Sequence, residues 1–241
     1  MVHKRDTLCF QSSLMVKLDG VIHGFSSRLA GDMSQDTEKR QHFLHALGVN
    51  DSAIFAQQVH DNRISVVHKQ STGVVPGVDG LVSRDVPVAV LAADCVPVLL
   101  VDPVNHICAA VHAGWKGTLG NVVGHAVRAM VQAGVEVGKI YGVIGPHIGA
   151  CCYTVGTQRV NAFAQRLGND EKMAYCADGT WHLDIGLINY RQLIEEGVAR
   201  DHIDAPPLCT SCQRNDFFSY RKDSEASFGK MIAVIGFRNN L

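Results

Sequence analysis

What this sequence lacks narrows it first. Charge imbalance is almost absent: the 241 residues carry a formal net charge of −1, so electrostatics give no argument for nucleic acid or an anionic membrane as partner. An unbroken apolar span is missing too. The most apolar window, residues 86–101, is interrupted by Pro87, Asp94 and Pro97 and reads as protein core rather than a membrane crossing. The start, MVHKRDTLCFQSS, is too polar for an export signal. The cytoplasm is therefore the expected compartment, and reduced thiols the expected state of the 8 cysteines. There is no Walker-type phosphate loop and no G-x-G-x-x-G after a strand. The one C-x-x-C, Cys209-Thr210-Ser211-Cys212, has no second copy to pair with, since Cys151 and Cys152 are adjacent. A structural zinc ribbon is not expected from that spacing. No internal repeat, low-complexity tract or linker divides the chain, so one domain over residues 1–241 is expected.

What is present is ordinary globular material, 46% hydrophobic and 19% charged, organised around Val88–Thr118. Here Val88–Leu91, Val96–Val101 and Ile107–Val111 are short, rich in β-branched residues and bounded by turns, as buried strands are. Asp94, Cys95 and His112 fall where these strands end, and strand-end loops are where chemistry usually sits. The plain alternative is that Cys95 is one more small buried hydrophobe.

Taken in order, Leu14–Ser27 reads as one or two strands and Arg28–Gln35 as a polar loop. Asp36 or Thr37 caps a helix over Glu38–Leu47. Ile54–Val59 is a strand delivering His60, and Ile64–Val67 is expected as its partner across an Asp61-Asn62 turn. Residues 79–83 make a short strand. A helix follows Gly117 to Met130, then a strand at Ile140–Ile144 and the Gly/Pro-defined loop 145–149. Helices are expected at Thr157–Leu167 and from an Asp184 cap to Glu196, with closing strands at Phe217–Tyr220 and Met231–Phe237. The uneven strand spacing argues against a regular βαβ series.

His60, Cys95 and His112 together offer two imidazoles and a thiolate. Three such donors with a fourth position open suit catalytic zinc, and copper(I) accepts the same set. Their spacing is no recognised local zinc signature, and ordinary hydrogen-bonded histidines are the competing reading. Arg28 in SSRLAG, Lys116 in GWKG and Arg221-Lys222 after FFSY stand beside turns, where a cation can meet an oxyanion or can simply be a solvated surface charge. Trp115 is placed to stack on a heterocycle or to pack. Cys9, Cys108 and Cys176 read as filler.

The motifs GFSSR, QQVH, VDGLVS, LAADCVPVLLVDP, AAVHAGWKGT, IGPHIGACCYTVG, LDIGLINYRQLIEEGV, CTSC and FFSYRKD…GKMIAVIGF, in that order, resemble the YfiH-like family. That family is also known as the laccase-domain or multicopper polyphenol oxidoreductase family, as a peptidoglycan editing factor and as a purine nucleoside phosphorylase. The resemblance implies an α+β fold with mixed β-sheets between helices, an α/β/β/α sandwich. It implies a His60, Cys95 and His112 active-site triad binding zinc, with copper as the other option, or acting as acid, base and nucleophile directly. Arg28, Arg40 and Lys116 are the expected substrate-binding residues, with Arg28 at the phosphate. Lys116 and Lys230 stand where the family pattern has Arg, Thr154 where it has an acid, and Lys39 where it has Asn. The implied activity is phosphorolysis of adenosine, inosine and S-methyl-5'-thioadenosine, with accompanying adenosine deamination. The implied partners are small molecules, nucleoside and phosphate, and a monomer or homodimer is expected. The alternative is an amide hydrolase that removes L-Ser from a UDP-MurNAc-L-Ser precursor. A copper polyphenol oxidase ranks below both, because the 12 histidines include no H-x-H pair of the kind that holds clustered copper.

Overall fold

The computed structural model of the chain describes residues 2–4, 8–49, 53–71 and 73–238. Its long apolar runs are strands with both faces covered, which is why they lack a polar alternation. One sheet runs, in spatial order, β1 (Val2–Lys4), β2 (Cys9–Ser12), β3 (Val21–Ser26), β16 (Met231–Phe237), β8 (Val88–Ala92), β4 (Ile54–Gln57) and β6 (Val74–Pro76). The second runs β15 (Ile203–Asp204), β11 (Tyr141–Ile144), β9 (Val96–Asp102), β10 (Ile107–Ala113), β7 (Gly80–Ser83) and β5 (Ile64–Val67). A small third sheet joins β12 (Thr154–Val155), β14 (Thr180–Leu183) and β13 (Ala174–Ala177). Pairings are mostly antiparallel, with parallel exceptions at the sheet margins such as β4–β6 and β5–β7.

The period-two geometry of the strands sorts side chains into three cores. Leu99, Val101, Cys108 and Ala110 of the second sheet meet Val88, Val90, Ala233 and Ile235 of the first. On the opposite face of the second sheet, Val96, Val98 and Leu100 of β9 lie with Ile107, Ala109, Val111 and Ala113 of β10. That face packs against the helix residues Val123, Val127, Phe163 and Ile188. The outer face of the first sheet, with Ala89, Ile232 and Val234, is covered by Phe43, Leu44 and Leu47 at helix α1 (Thr37–Ala46). The order is thus helix, sheet, sheet, helices: the α/β/β/α sandwich expected from the resemblance. The helices on the far side are α2 (Trp115–Leu119), α3 (Val122–Gln132), α4 (Thr157–Leu167) and α5 (Ile185–Glu195). None of the helices among the described residues is long and apolar enough to cross a membrane.

Four expectations are corrected. Ile64–Val67 is a strand, but it pairs in parallel with β7 of the second sheet and not with Ile54–Gln57. Of Leu14–Ser27 only Val21–Ser26 is strand; Met15–Lys17 is a 3-10 turn, because Ser12 Oγ accepts from the Leu14 and Met15 N–H groups. The helix after Gly117 is two helices, split where Asn121 adopts a left-handed φ of 56° and caps Gly124 N–H. Phe217–Tyr220 is not a strand. The N–H groups of Phe217, Phe218 and Ser219 are taken by the Gln213 carbonyl, the Met231 sulfur and the Asp223 carboxylate, which leaves no ladder to form.

Candidate active site

Asp79, at the entry to β7, is fully buried. Its carboxylate accepts from the N–H groups of Val59, His60 and Asp61 at 3.1, 3.0 and 2.8 Å. It also meets His112 Nδ1 at 2.8 Å. Those bonds hold the turn after β4, where His60 takes a left-handed φ of 60°. They also orient His112, at the end of β10, so that Nδ1 is occupied and Nε2 is left for the site. A buried carboxyl alone would be pushed up, but the His112 hydrogen bond, the Asp61 N–H and the His112 charge together bring Asp79 below the usual carboxylate range.

Cys95 arrives by a different device. Asp94, just before it, has φ of 80°, a conformation that costs a non-glycine residue on the order of 1–2 kcal/mol. It is over-determined by its contacts. Asp94 Oδ1 accepts from Thr210 Oγ1 at 2.6 Å, and Oδ2 from Ser219 Oγ at 3.1 Å and Arg221 N–H at 2.7 Å. Asp94 O accepts from Ile148 N–H at 3.0 Å.

The structure brings His60, Cys95 and His112 together: their donor atoms all lie within 4.8 Å of one another. The two imidazole rings meet edge to face at 4.9 Å. Gly114 sits against all three. A Cβ there would lie 3.0 Å from His60 Cδ2 and 3.2 Å from Cys95 Sγ, so the missing side chain keeps the centre clear. Burial raises the Cys95 thiol, but the His112 charge and hydrogen bonds from both histidines pull it down to about 6. Burial lowers His112, and the Cys95 thiolate and Asp79 raise it to about 9. Both shifts favour a thiolate beside an imidazolium when no metal is bound; the same donors fit a zinc ion or another soft metal.

The triad forms part of the wall of an open cavity of about 580 Å³. Trp115, Tyr153, Tyr220 and Phe228 contribute rings to its lining, and Arg159, Arg221 and Lys230 contribute cations. Arg159 donates to Tyr153 Oη at 3.1 Å and lies over Trp115 at 4.3 Å. A larger hollow of about 760 Å³ between α4 and the third sheet has no comparable cluster of donors.

The three expected substrate-binding residues, Arg28, Arg40 and Lys116, lie outside the lining of this cavity. Arg28 donates to Asp223 Oδ2 at 2.8 Å and to the carbonyls of Phe217 and Ser227. Arg40 donates to the carbonyls of Met33 and Ser34 and covers the Phe55 ring. Lys116 sits 5.7 Å from the Trp115 ring centre. Arg159 carries no sequence signal, since one arginine on an amphipathic helix looks like any surface charge. Around the C-x-x-C, chain folding gathers the sulfurs of Cys151, Cys152, Cys209 and Cys212 within 4.8 Å of one another.

Fold and site together define an α/β/β/α sandwich with a His/Cys/His pocket at the strand ends. The chain belongs to the family described as multi-copper polyphenol oxidoreductase laccase, whose profile matches residues 24–238. It is 36% identical over 198 residues to purine nucleoside phosphorylase YlmD of Geobacillus stearothermophilus, covering 77% of this chain and 72% of that protein. It is 34% identical over 189 residues to adenosine deaminase RL5 of an unknown prokaryotic organism, covering 73% and 72%. The crystal structure of the Geobacillus YlmD superposes with a TM-score of 0.87 at 28% identity over 99% of both chains. That of Bacillus licheniformis YfiH gives 0.86 at 26% identity over 98% of both.

Proposed function

We propose that the chain is a purine nucleoside phosphorylase acting on adenosine, inosine and S-methyl-5'-thioadenosine, with accompanying adenosine deamination, at the His60, Cys95 and His112 site. The observation that carries this reading is one cavity holding the donor triad, four aromatic rings and three cations. Rings suit a purine, whose flat face stacks on aromatic side chains. Cations suit phosphate, and in this reading Arg221, Lys230 and Arg159 take the role first expected of Arg28. Phosphate oxygen bonds to C1' of the ribose as the C1'–N9 bond breaks, and the bonding pair leaves with the purine. In the site without a metal, His60 or His112 supplies the proton or hydrogen bond that stabilises the departing base. Zinc held by His60 Nε2 or Nδ1, Cys95 Sγ and His112 Nε2 would supply a Lewis acid that activates water for deamination. Asp79 keeps His112 in the tautomer that leaves Nε2 available.

Cys95 beside His112 is also the arrangement of a cysteine amide hydrolase, so serine release from a UDP-MurNAc-L-Ser precursor remains the second reading. Among the described residues, the groupings able to hold a metal are this triad and the four cysteines. Neither is a cluster of histidines of the kind a multicopper centre needs. The test is product analysis on adenosine with and without phosphate. Adenine and ribose 1-phosphate formed only with phosphate bear the proposal out. Free ribose formed equally well without phosphate rejects it, and serine release with no attack on nucleosides favours the amide hydrolase.

A further inference from the structure

We propose that Cys151, Cys152, Cys209 and Cys212 form a second metal site, a closed tetrathiolate centre for zinc that ties the loop at 148–153, part of the cavity wall, to the loop at 209–212. A tetrahedral zinc with bonds of about 2.3 Å to sulfur sets its sulfurs about 3.8 Å apart. Cys212 Sγ lies 3.6 Å from Cys151 Sγ and 3.4 Å from Cys152 Sγ, and all four sulfurs fall within 4.8 Å of one another. These separations are far longer than the ~2.05 Å of a disulfide, and all four cysteines are free.

Two further features fit a metal. Gly149 N–H donates to Cys209 Sγ at 3.3 Å, the kind of bond that stabilises a ligating thiolate. Gly149 also leaves room for the cluster, since a Cβ there would stand 3.3 Å from both Cys151 Sγ and Cys209 Cβ. Four thiolates with no open position define a structural site, in contrast to the open His/Cys/His triad. On binding, the thiol protons pass to solvent, so occupancy falls as the pH drops.

The location gives the metal its role. Ile148 and Tyr153, which flank Cys151 and Cys152, line the cavity. Thr210, between Cys209 and Cys212, donates to Asp94, the residue before Cys95. His147 and Cys209 form a parallel bridge, which draws the two loops together along the backbone as well.

The test uses the full chain purified anaerobically with reductant. The Cys95→Ala variant removes the thiolate of the triad, so its metal content reports the four-cysteine site. It is expected to retain about one equivalent of zinc. Cobalt(II) in place of zinc should give the intense visible bands and sulfur-to-metal charge transfer of a tetrathiolate. Adding Cys209→Ser and Cys212→Ser should abolish both signals. Should that variant fail to fold, titration of Cys95→Ala with a thiol-specific mercurial still decides, with four thiols blocked for each zinc released. A Cys95→Ala protein without zinc, a cobalt spectrum without thiolate intensity, copper(I) retained in preference to zinc, or a disulfide among the four under reductant would each overturn the proposal.

Discussion

Asp79 and His112 are joined twice: the Asp79 carboxylate meets His112 Nδ1 at 2.8 Å, and the Asp79 carbonyl accepts from the His112 N–H at 2.7 Å. The same carboxylate holds the backbone on both sides of His60. One buried side chain therefore sets two of the three donors.

Asp79→Ala is expected to weaken zinc binding at the triad by about 10–100-fold, the usual effect of removing a partner behind a ligating histidine. Titration against a competing chelator measures it. The variant also strands three N–H groups and should be less stable. Because the Asp79 carboxyl is held below its ordinary value, its contribution is complete above the unfolded carboxylate range, about pH 4. It is lost as the pH falls through the folded value. Acid unfolding of Asp79→Asn should therefore begin at a higher pH than that of the wild type. Unchanged zinc affinity would remove Asp79 from the site.

Cys95 in metal-stripped protein should alkylate with a rate that rises through about pH 6 and is close to its plateau at neutrality, because the thiolate is the nucleophile. Zinc should protect it. Cys108, fully buried and pushed up to about 12, should react only after unfolding. Peptide mass mapping separates the two. Cys95→Ala should abolish turnover while Cys108→Ala leaves it largely intact. A Cys95 that reacts as slowly as an ordinary thiol at pH 7 would refute the paired state.

The sequence shows the strand-end donors well, because buried strands announce themselves as apolar runs and β9 and β10 deliver Cys95 and His112 locally. It shows the helix cap at Asp184, and narrows the first helix's cap to Asp36 or Thr37, of which Asp36 is the one, for a related reason: capping is a short-range effect. Partnerships made at long range were not visible. Ile64–Val67 reads as a strand, but its partner lies in the other sheet, beyond the turn that the Asp79 carboxylate holds. Arg28 reads as an exposed cation beside a turn, yet Asp223, 195 residues away, claims it. Cys209-x-x-Cys212 looks solitary until the fold carries Cys151 and Cys152 to it.

Gly114→Ala tests the space between the donors. The backbone there, φ −70° and ψ 173°, suits any residue, so strain is not the issue. The new methyl would press on His60 and on Cys95 Sγ at 3.0 and 3.2 Å. Zinc affinity and turnover should fall together while the melting temperature changes little. Normal zinc binding in the folded variant would show that the donors do not converge at this point.

Arg221→Ala and Arg28→Ala together separate an anion-binding cation from a structural one. Arg221 lines the cavity, and its guanidinium donates to Thr154 O and Oγ1 at 3.0 and 3.1 Å. Threonine at 154 stands where the resemblance leads one to expect an acid, so this partner of the guanidinium is neutral, and in the proposed reading the arginine's charge serves phosphate. Losing one charge-assisted contact of about 1.5–3 kcal/mol should weaken phosphate use roughly tenfold to a hundredfold. Deamination needs no anion and should suffer less. Arg28 is tied to Asp223 and two carbonyls, so Arg28→Ala should lower the melting temperature and leave the phosphate requirement close to that of the wild type. The measurement is the phosphate dependence of adenine formation, set beside inosine formation without phosphate. If Arg221→Ala impairs both reactions equally, Arg221 shapes the wall rather than holding the anion. If Arg28→Ala alone raises the phosphate requirement, the anion lies on the Arg28 side after all.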